Sequence, residues 1–253
     1  LQAIWQPIYI AAYGLGSLII FALTLLYFRY RLKRGMTQAS LFAMGASMSN
    51  TGFIGSAVLT LLLESHAAVY LSLTLIIENL CIVACTLILA EGAQQQQSSW
   101  WRLYAQTLLK LVKNPVIIAI ILGMLCAAFK LQLPHFLTQT LHLLGQTASP
   151  LALFIIGAGL VGLSFEQLNR DSVVLVAIKL ILMPITIFAL FNLFSAPQEM
   201  RYAGTLLAVL PMPVAFVIFA DQYGIKGQAL APLMLSTLVG FLLLALLLSI
   251  WQI

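Results

Sequence analysis

Charge is what this sequence has least of. Only 8% of its 253 residues are Asp, Glu, Lys or Arg, about a third of the share in a soluble domain. With 62% of residues hydrophobic, too few polar side chains exist to cover a water-facing surface, and a soluble fold is excluded. Long hydrophilic stretches are equally scarce: eight apolar runs, at about 20 residues per bilayer crossing, consume most of the length and leave no room for a separate soluble domain. Cysteine is rare too. Cys81 and Cys85 lie four apart in one run and Cys126 in another, neither a disulfide framework nor a zinc spacing, so all three read as small buried hydrophobes. No metal cluster, phosphate loop or nucleotide motif occurs in the sequence; no cofactor or metal is expected, and an ATP-driven pump within this chain is argued against. The opening Leu-Gln-Ala-Ile-Trp has no basic n-region and no cleavage signal, so a signal peptide is not expected and a missing N-terminal piece is.

The apolar runs cover residues 8–28, 38–63, 67–90, 115–131, 137–163, 172–194, 201–221 and 228–251. They lack strand alternation, and lipid leaves backbone groups no partner outside helices and closed barrels, so every run is expected to be helical. The net charge of +5 is then a topology signal rather than a nucleic-acid footprint. Arg29, Arg31, Lys33, Arg34, Arg102, Lys110, Lys113, Arg170 and Lys226 fall in connections on one side, Lys130 and Arg201 on the other. The positive-inside rule makes the nine cytoplasmic and places both ends of the chain outside, with Lys179 left within a span. The hydrophilic connection from Glu91 to Asn114, with its Gln94 to Gln97 tract and Trp100-Trp101 pair, reads as a cytoplasmic linker ending in an interfacial helix.

An offset of 163 residues lays the second run on the seventh, setting Asn50-Thr51-Gly52-Phe53 against Pro213-Val214-Ala215-Phe216, and brings the first run onto the sixth and the third onto the eighth. With the orientation above, this is an inverted-topology repeat of the kind secondary transporters use. The expected domains are 1–92, the last three helices of a first repeat; 93–114, a cytoplasmic linker; and 115–253, a five-helix second repeat. Two further helices are expected to precede residue 1, giving eight helices here of ten. The second run is interrupted by Ser47-Met48-Ser49-Asn50-Thr51-Gly52 between Gly45 and Gly55, and the seventh by Leu210-Pro211-Met212-Pro213. Pro removes a backbone donor, Gly permits unwinding, and Ser and Asn offer competing hydrogen bonds, so both helices are expected to break at the midplane. Two half-helix N-termini, near Thr51 and Val214, would then point at the bilayer centre and favour an anion. The Asn50 amide is the side-chain donor of that site, and freed carbonyls around Ser49 and Met212 are left for water, a cation or a protonated group.

These residues resemble the auxin efflux carrier family, which includes plant PIN-type carriers and bacterial malate and malonate permeases. The resemblance is carried by Ser49-Asn50-Thr51-Gly52-Phe53-Ile54-Gly55, Lys113-Asn114-Pro115, Ser149-Pro150-Leu151-Ala152, Gly157-Ala158-Gly159-Leu160, Lys179-Leu180-Ile181-Leu182-Met183-Pro184 and Leu210-Pro211-Met212-Pro213. It implies an all-α polytopic membrane protein with two crossed discontinuous helices, similar to the sodium/proton antiporter and bile-acid symporter fold. It further implies secondary transport of small organic anions such as a dicarboxylate or an auxin-like carboxylate, bound near Ser49, Asn50, Thr51, Gly52, Pro211, Met212 and Pro213, with Ser149 and Asn79 as further polar candidates. The expected partners are that anion and the lipid bilayer, with H+ or Na+ as coupling ion, in a bacterial inner membrane; a homodimer stays open, because related folds often pair.

Two ionisable residues lie within spans. Glu78 costs about 2.5 to 3.5 kcal/mol there on insertion scales and must face protein or water, in proton coupling, in cavity polarity or in a structural hydrogen bond. Lys179, about two turns from the cytoplasmic end, divides between a snorkelling anchor and an anion path. The alternatives to an organic-anion transporter are a sodium-coupled symporter of the bile-acid type and, more remotely, an intramembrane serine protease using Ser47 with His142. His66 and His135 fall in outside connections.

Overall fold

A computed structural model describes residues 6–63, 67–94, 115–129, 131–160 and 168–251. Helix α1 (Pro7–Arg31) is followed by α2 (Met36–Ser47) and, after a break, by a π turn over Thr51–Gly55 that runs into α3 (Ser56–Leu63). Then come α4 (Ala67–Ala93), α5 (Pro115–Ala128) and α6 (His135–Leu160). Helix α7 (Arg170–Leu193) leads to α8 (Gln198–Val209), α9 (Val214–Gln222) and α10 (Lys226–Trp251). The described residues contain helix and no strand. Among the described residues, four helices are long and apolar enough to cross a membrane, and the pair α8 and α9, bent by 45°, makes a fifth when counted as one broken span.

The helix bounds keep the 163-residue offset. Moved by that amount, Pro7–Arg31 falls on 170–194 against the observed Arg170–Leu193, and Met36–Ser47 falls on 199–210 against Gln198–Val209. The restart at Thr51 falls on 214, where α9 begins.

Polar and apolar surfaces are distributed as lipid requires. Along α1, Leu15, Leu18, Ile19, Leu23 and Leu26 are exposed at helical spacing, and Ile181, Ile185 and Phe188 do the same along α7, an apolar surface too continuous for a soluble protein. The buried face carries Ser17, Ser49, Asn50, Thr51, Thr74, Glu78 and Lys179. Close helix approach depends on glycine at two positions: a Cβ at Gly16 of α1 would collide with Ile187, and one at Gly204 of α8 with the Phe191 ring. Tyr9 and Tyr13, on the buried face of α1, stack 5.7 Å apart, and the Tyr9 hydroxyl lies 2.7 Å from Thr74 Oγ1 of α4.

Two sequence expectations shift. The helix of α4 continues past Glu91 to Ala93 rather than ending before Glu91, because Glu91 is buried and accepts a 2.7 Å hydrogen bond from the Tyr223 hydroxyl; the residues from Gln95 to Asn114 lie outside the described residues. The cysteines are free, but Cys81 is exposed and Cys85 and Cys126 are half-buried, since they sit on outward faces where lipid replaces protein as the apolar neighbour. Of the histidines, His135 and His142 are exposed, and His66 lies outside the described residues.

Candidate functional site at the helix crossing

Both sequence interruptions are real breaks, and they touch. Helix α2 stops at Ser47, Met48 turns to an extended conformation, and the chain resumes helical form at Thr51. Helix α8 stops at Val209, and Leu210 to Pro213 run extended into α9. The backbone N–H of Asn50 donates to the Pro211 carbonyl at 2.9 Å, so each interruption satisfies a group that the other leaves unpaired. The Asn50 carbonyl accepts from the N–H groups of Ile54 and Gly55, at 3.0 and 2.9 Å. The second break is held from behind: Met212 N–H donates to Ser236 Oγ of α10 at 3.2 Å, and a Cβ at Gly240 would stand 3.3 Å from the Pro211 ring. Gly55 leaves room for the crossing, because a Cβ there would meet Leu207 at 2.9 Å and Leu210 at 3.0 Å.

Four half-helix ends therefore meet inside the protein. The C-termini of α2 and α8 carry partial negative charge, and the N-termini at Thr51 and Val214 carry partial positive charge. The Asn50 side chain, in the first break, is 2% exposed, and its amide nitrogen has no hydrogen-bond partner among the described residues. A buried unpaired donor costs about 1 to 3 kcal/mol.

The two buried charges converge on the first break from opposite sides. Glu78 Oε1, on α4, accepts from Ser49 N–H at 2.8 Å and from the hydroxyls of Thr51 and Tyr13 at 3.3 Å each. Lys179 Nζ, on α7, donates to Ser49 Oγ at 2.6 Å, to the Ala208 carbonyl at 3.1 Å and to Met183 Sδ at 2.9 Å. Ser49 thus bridges the two, its amide on the acid and its hydroxyl on the base. Glu78, Thr51 and Lys179 each sit in a π turn, over Glu78–Val83, Thr51–Gly55 and Ile178–Leu182; such turns widen the helix and concentrate at functional positions.

The remaining sequence candidates fall in different places. Gly52 is exposed, and Pro213 is buried at the N-cap of α9. Asn79 is half-buried and donates its amide to Leu75 O of its own helix at 2.9 Å. Ser149 belongs to α6, and its side chain lies outside the described residues. The snorkelling reading of Lys179 is corrected: its side chain is wholly buried and turns inward to the crossing. Ser47 donates its hydroxyl to Ala43 O at 2.7 Å, and His142 is exposed on α6, so the serine hydroxyl is turned into its own helix.

At one end of the molecule the first and second halves of the described chain are tied by polar contacts. Arg34 pairs with Asp171 at 2.7 Å, Gln38 donates to Gln228 at 2.6 Å, and Tyr223 holds Glu91. At the opposite end a cavity of about 510 Å³ opens between α3 and α8, lined by Leu59, Leu62, Leu63, Ala203 and Leu206, with Gln198, Glu199 and Tyr202 also on its wall.

Residues 2–251 match the sequence pattern of a family described as membrane transport protein. The chain is also 24% identical, over 225 residues, to a protein of Rhizobium meliloti (strain 1021) described as "Putative malonate transporter", in an alignment covering 87% of this chain and 70% of that relative. With a match across nearly its whole length and a helical fold built for lipid, the chain belongs to the membrane transport protein family, as a multi-pass membrane protein.

Proposed function

We propose that this protein is a secondary active transporter of small organic anions, working by alternating access around the crossed breaks of α2–α3 and α8–α9. The observation that carries the reading is the Asn50 amide nitrogen, buried and without a partner, beside two half-helix N-termini that favour a carboxylate. Thr51, Pro211, Met212 and Pro213 shape the same place through the backbone, and the 163-residue offset supports two inverted halves related across it. The cavity between α3 and α8 supports an approach from the outer side, while the contacts of Arg34, Gln38 and Tyr223 close the cytoplasmic side. Because the relative is named for malonate, that dicarboxylate is the first substrate to test, in a bacterial inner membrane with both ends of the chain outside.

The test is uptake of radiolabelled malonate, malate and indole-3-acetate by the complete protein in proteoliposomes, with and without ion gradients. Saturable uptake of one acid, weakened by Asn50→Leu, is the expected result. Saturable uptake that Asn50→Leu leaves unchanged in a folded protein would remove the crossing as the binding place.

A further inference from the structure

Lys179 places its amine against the last turn of α8 and the residue just beyond the end of α2. Helix α2 ends at Ser47 and α8 at Val209, and each such end leaves carbonyls without intrahelical partners and carries about half a negative charge. Its ammonium has three N–H groups and meets three acceptors: Ala208 O in the last turn of α8, Ser49 Oγ just beyond α2, and Met183 Sδ on its own helix. In transporters with discontinuous helices, these carbonyl ends and unwound segments are the places that coordinate sodium or a proton. A sodium ion and the Lys179 ammonium cannot occupy that position together.

We propose that Lys179 is a tethered cation standing in the crossing's sodium position, so that anion binding and the transport cycle proceed without sodium. The anion pole, at Asn50 and the helix N-termini, and the cation pole, at Ser49 and Ala208, are adjacent because Ser49 and Asn50 are consecutive residues of one break. The lysine therefore positions the break and fills the place that a co-transported ion would otherwise take. The inference deepens the organic-anion reading and rests on it for the transport consequence, while its first readout does not depend on the substrate.

The complete purified protein is melted in sodium chloride and in choline chloride at equal ionic strength, as wild type, Lys179→Ala and Lys179→Arg. Wild type and the arginine variant are expected to melt alike in both salts. Lys179→Ala vacates the position but keeps its oxygen acceptors, and is expected to gain a sodium-specific rise of about 3 °C once sodium stands well above its dissociation constant. A purely structural lysine would leave the alanine variant less stable in both salts equally, which would overturn the proposal; so would a sodium-specific rise in wild type. Should Lys179→Ala aggregate, Lys179→Gln, uncharged but able to donate to Ser49 and Ala208, takes its place with the same expectation. In proteoliposomes, malonate uptake by wild type is expected to be equal in the two salts, and that of Lys179→Ala to fall at least about tenfold in choline and recover in part in sodium. Sodium-dependent uptake by wild type would overturn the inference. Absence of malonate uptake alongside the expected melting pattern would overturn the substrate reading and leave the tethered cation standing.

Discussion

Replacing Glu78 tests whether one carboxylate holds the first break in shape. Its Oε1 takes three donors: Ser49 N–H at 2.8 Å and the hydroxyls of Thr51 and Tyr13 at 3.3 Å each. Side-chain hydrogen bonds within membranes average about 0.6 kcal/mol, because the unfolded chain also finds partners, so the two long hydroxyl contacts together contribute about 1 kcal/mol. The Ser49 amide is different. It lies in a helix break, and an unpaired backbone N–H away from water costs about 2 to 3 kcal/mol. Glu78→Leu, which removes the acceptor, is expected to cost about 3 to 4 kcal/mol, or roughly 10 °C in melting temperature for a chain of this size. Glu78→Gln keeps an oxygen in place and loses only charge assistance, about 1 kcal/mol or roughly 3 °C. The assay is thermal melting of detergent-purified variants followed by tryptophan fluorescence and by size-exclusion recovery. Equal melting of the leucine and glutamine variants would refute the argument, since the break would then hold its shape without that acceptor.

Four further substitutions probe separate parts of the structure. Asn50→Leu is expected to lower malonate affinity at least about tenfold, a loss of roughly 1.4 kcal/mol, with little change in melting temperature, because the bond to Pro211 uses the backbone N–H and the side-chain nitrogen has no partner; binding by isothermal titration and melting decide it together. Gly55→Val places new atoms against Leu207 and Leu210, 2.9 and 3.0 Å from the added Cβ; overpacking costs about 1 to 3 kcal/mol, and a folded variant with wild-type uptake would show that the two breaks need not approach this closely. At the end tied by polar contacts, Tyr223→Phe removes a 2.7 Å bond to the buried Glu91 and is expected to destabilise by about 1 to 2 kcal/mol. Arg34→Ala breaks an ion pair whose arginine is 44% exposed and is expected to cost less than about 1 kcal/mol, so melting curves should rank the tyrosine above the arginine.

What the sequence shows plainly is what is written locally. Pro211 and Pro213 cannot donate hydrogen bonds, and the Ser49-Asn50-Thr51-Gly52 run competes with helix geometry, so both breaks are visible in the string and fall within a residue or two of where the chain unwinds. Glu78 and Lys179 are visible as anomalies by their cost alone. Their convergence is not, because it depends on contacts spanning 29 and 130 residues in sequence, which no periodicity encodes. Lys179 reads equally as an anchor because its distance from the membrane edge is a local quantity, whereas its inward direction is set by acceptors on α8 and in the α2 break. Asn79 draws notice through its neighbour Glu78, yet its amide returns to Leu75 in its own helix, a local alternative open to any helical asparagine. The end of α4 is misplaced because Glu91 reads as the start of a hydrophilic linker until its partner Tyr223 is seen across the structure.

Charge balance at the crossing leads to a prediction about voltage. Glu78 and Lys179 sum to zero whether both are ionised or a proton has passed between them, and the two negative helix ends match the two positive ones. The unloaded crossing is therefore neutral, and a substrate anion enters it as net charge. If Lys179 stands in the place of a co-transported sodium, no mobile cation accompanies the substrate to cancel that charge. Moving one elementary charge through the full field corresponds to about 2.3 kcal/mol per 100 mV. A site at the midplane senses about half of it, so uptake into proteoliposomes should speed up about sevenfold per substrate charge for each 100 mV of inside-positive potential. A potassium gradient with valinomycin sets that potential, and initial rates of malonate uptake at equal pH on both sides measure the response. Rates indifferent to the potential would refute the neutral-crossing argument, and would mean that each substrate charge crosses with a proton.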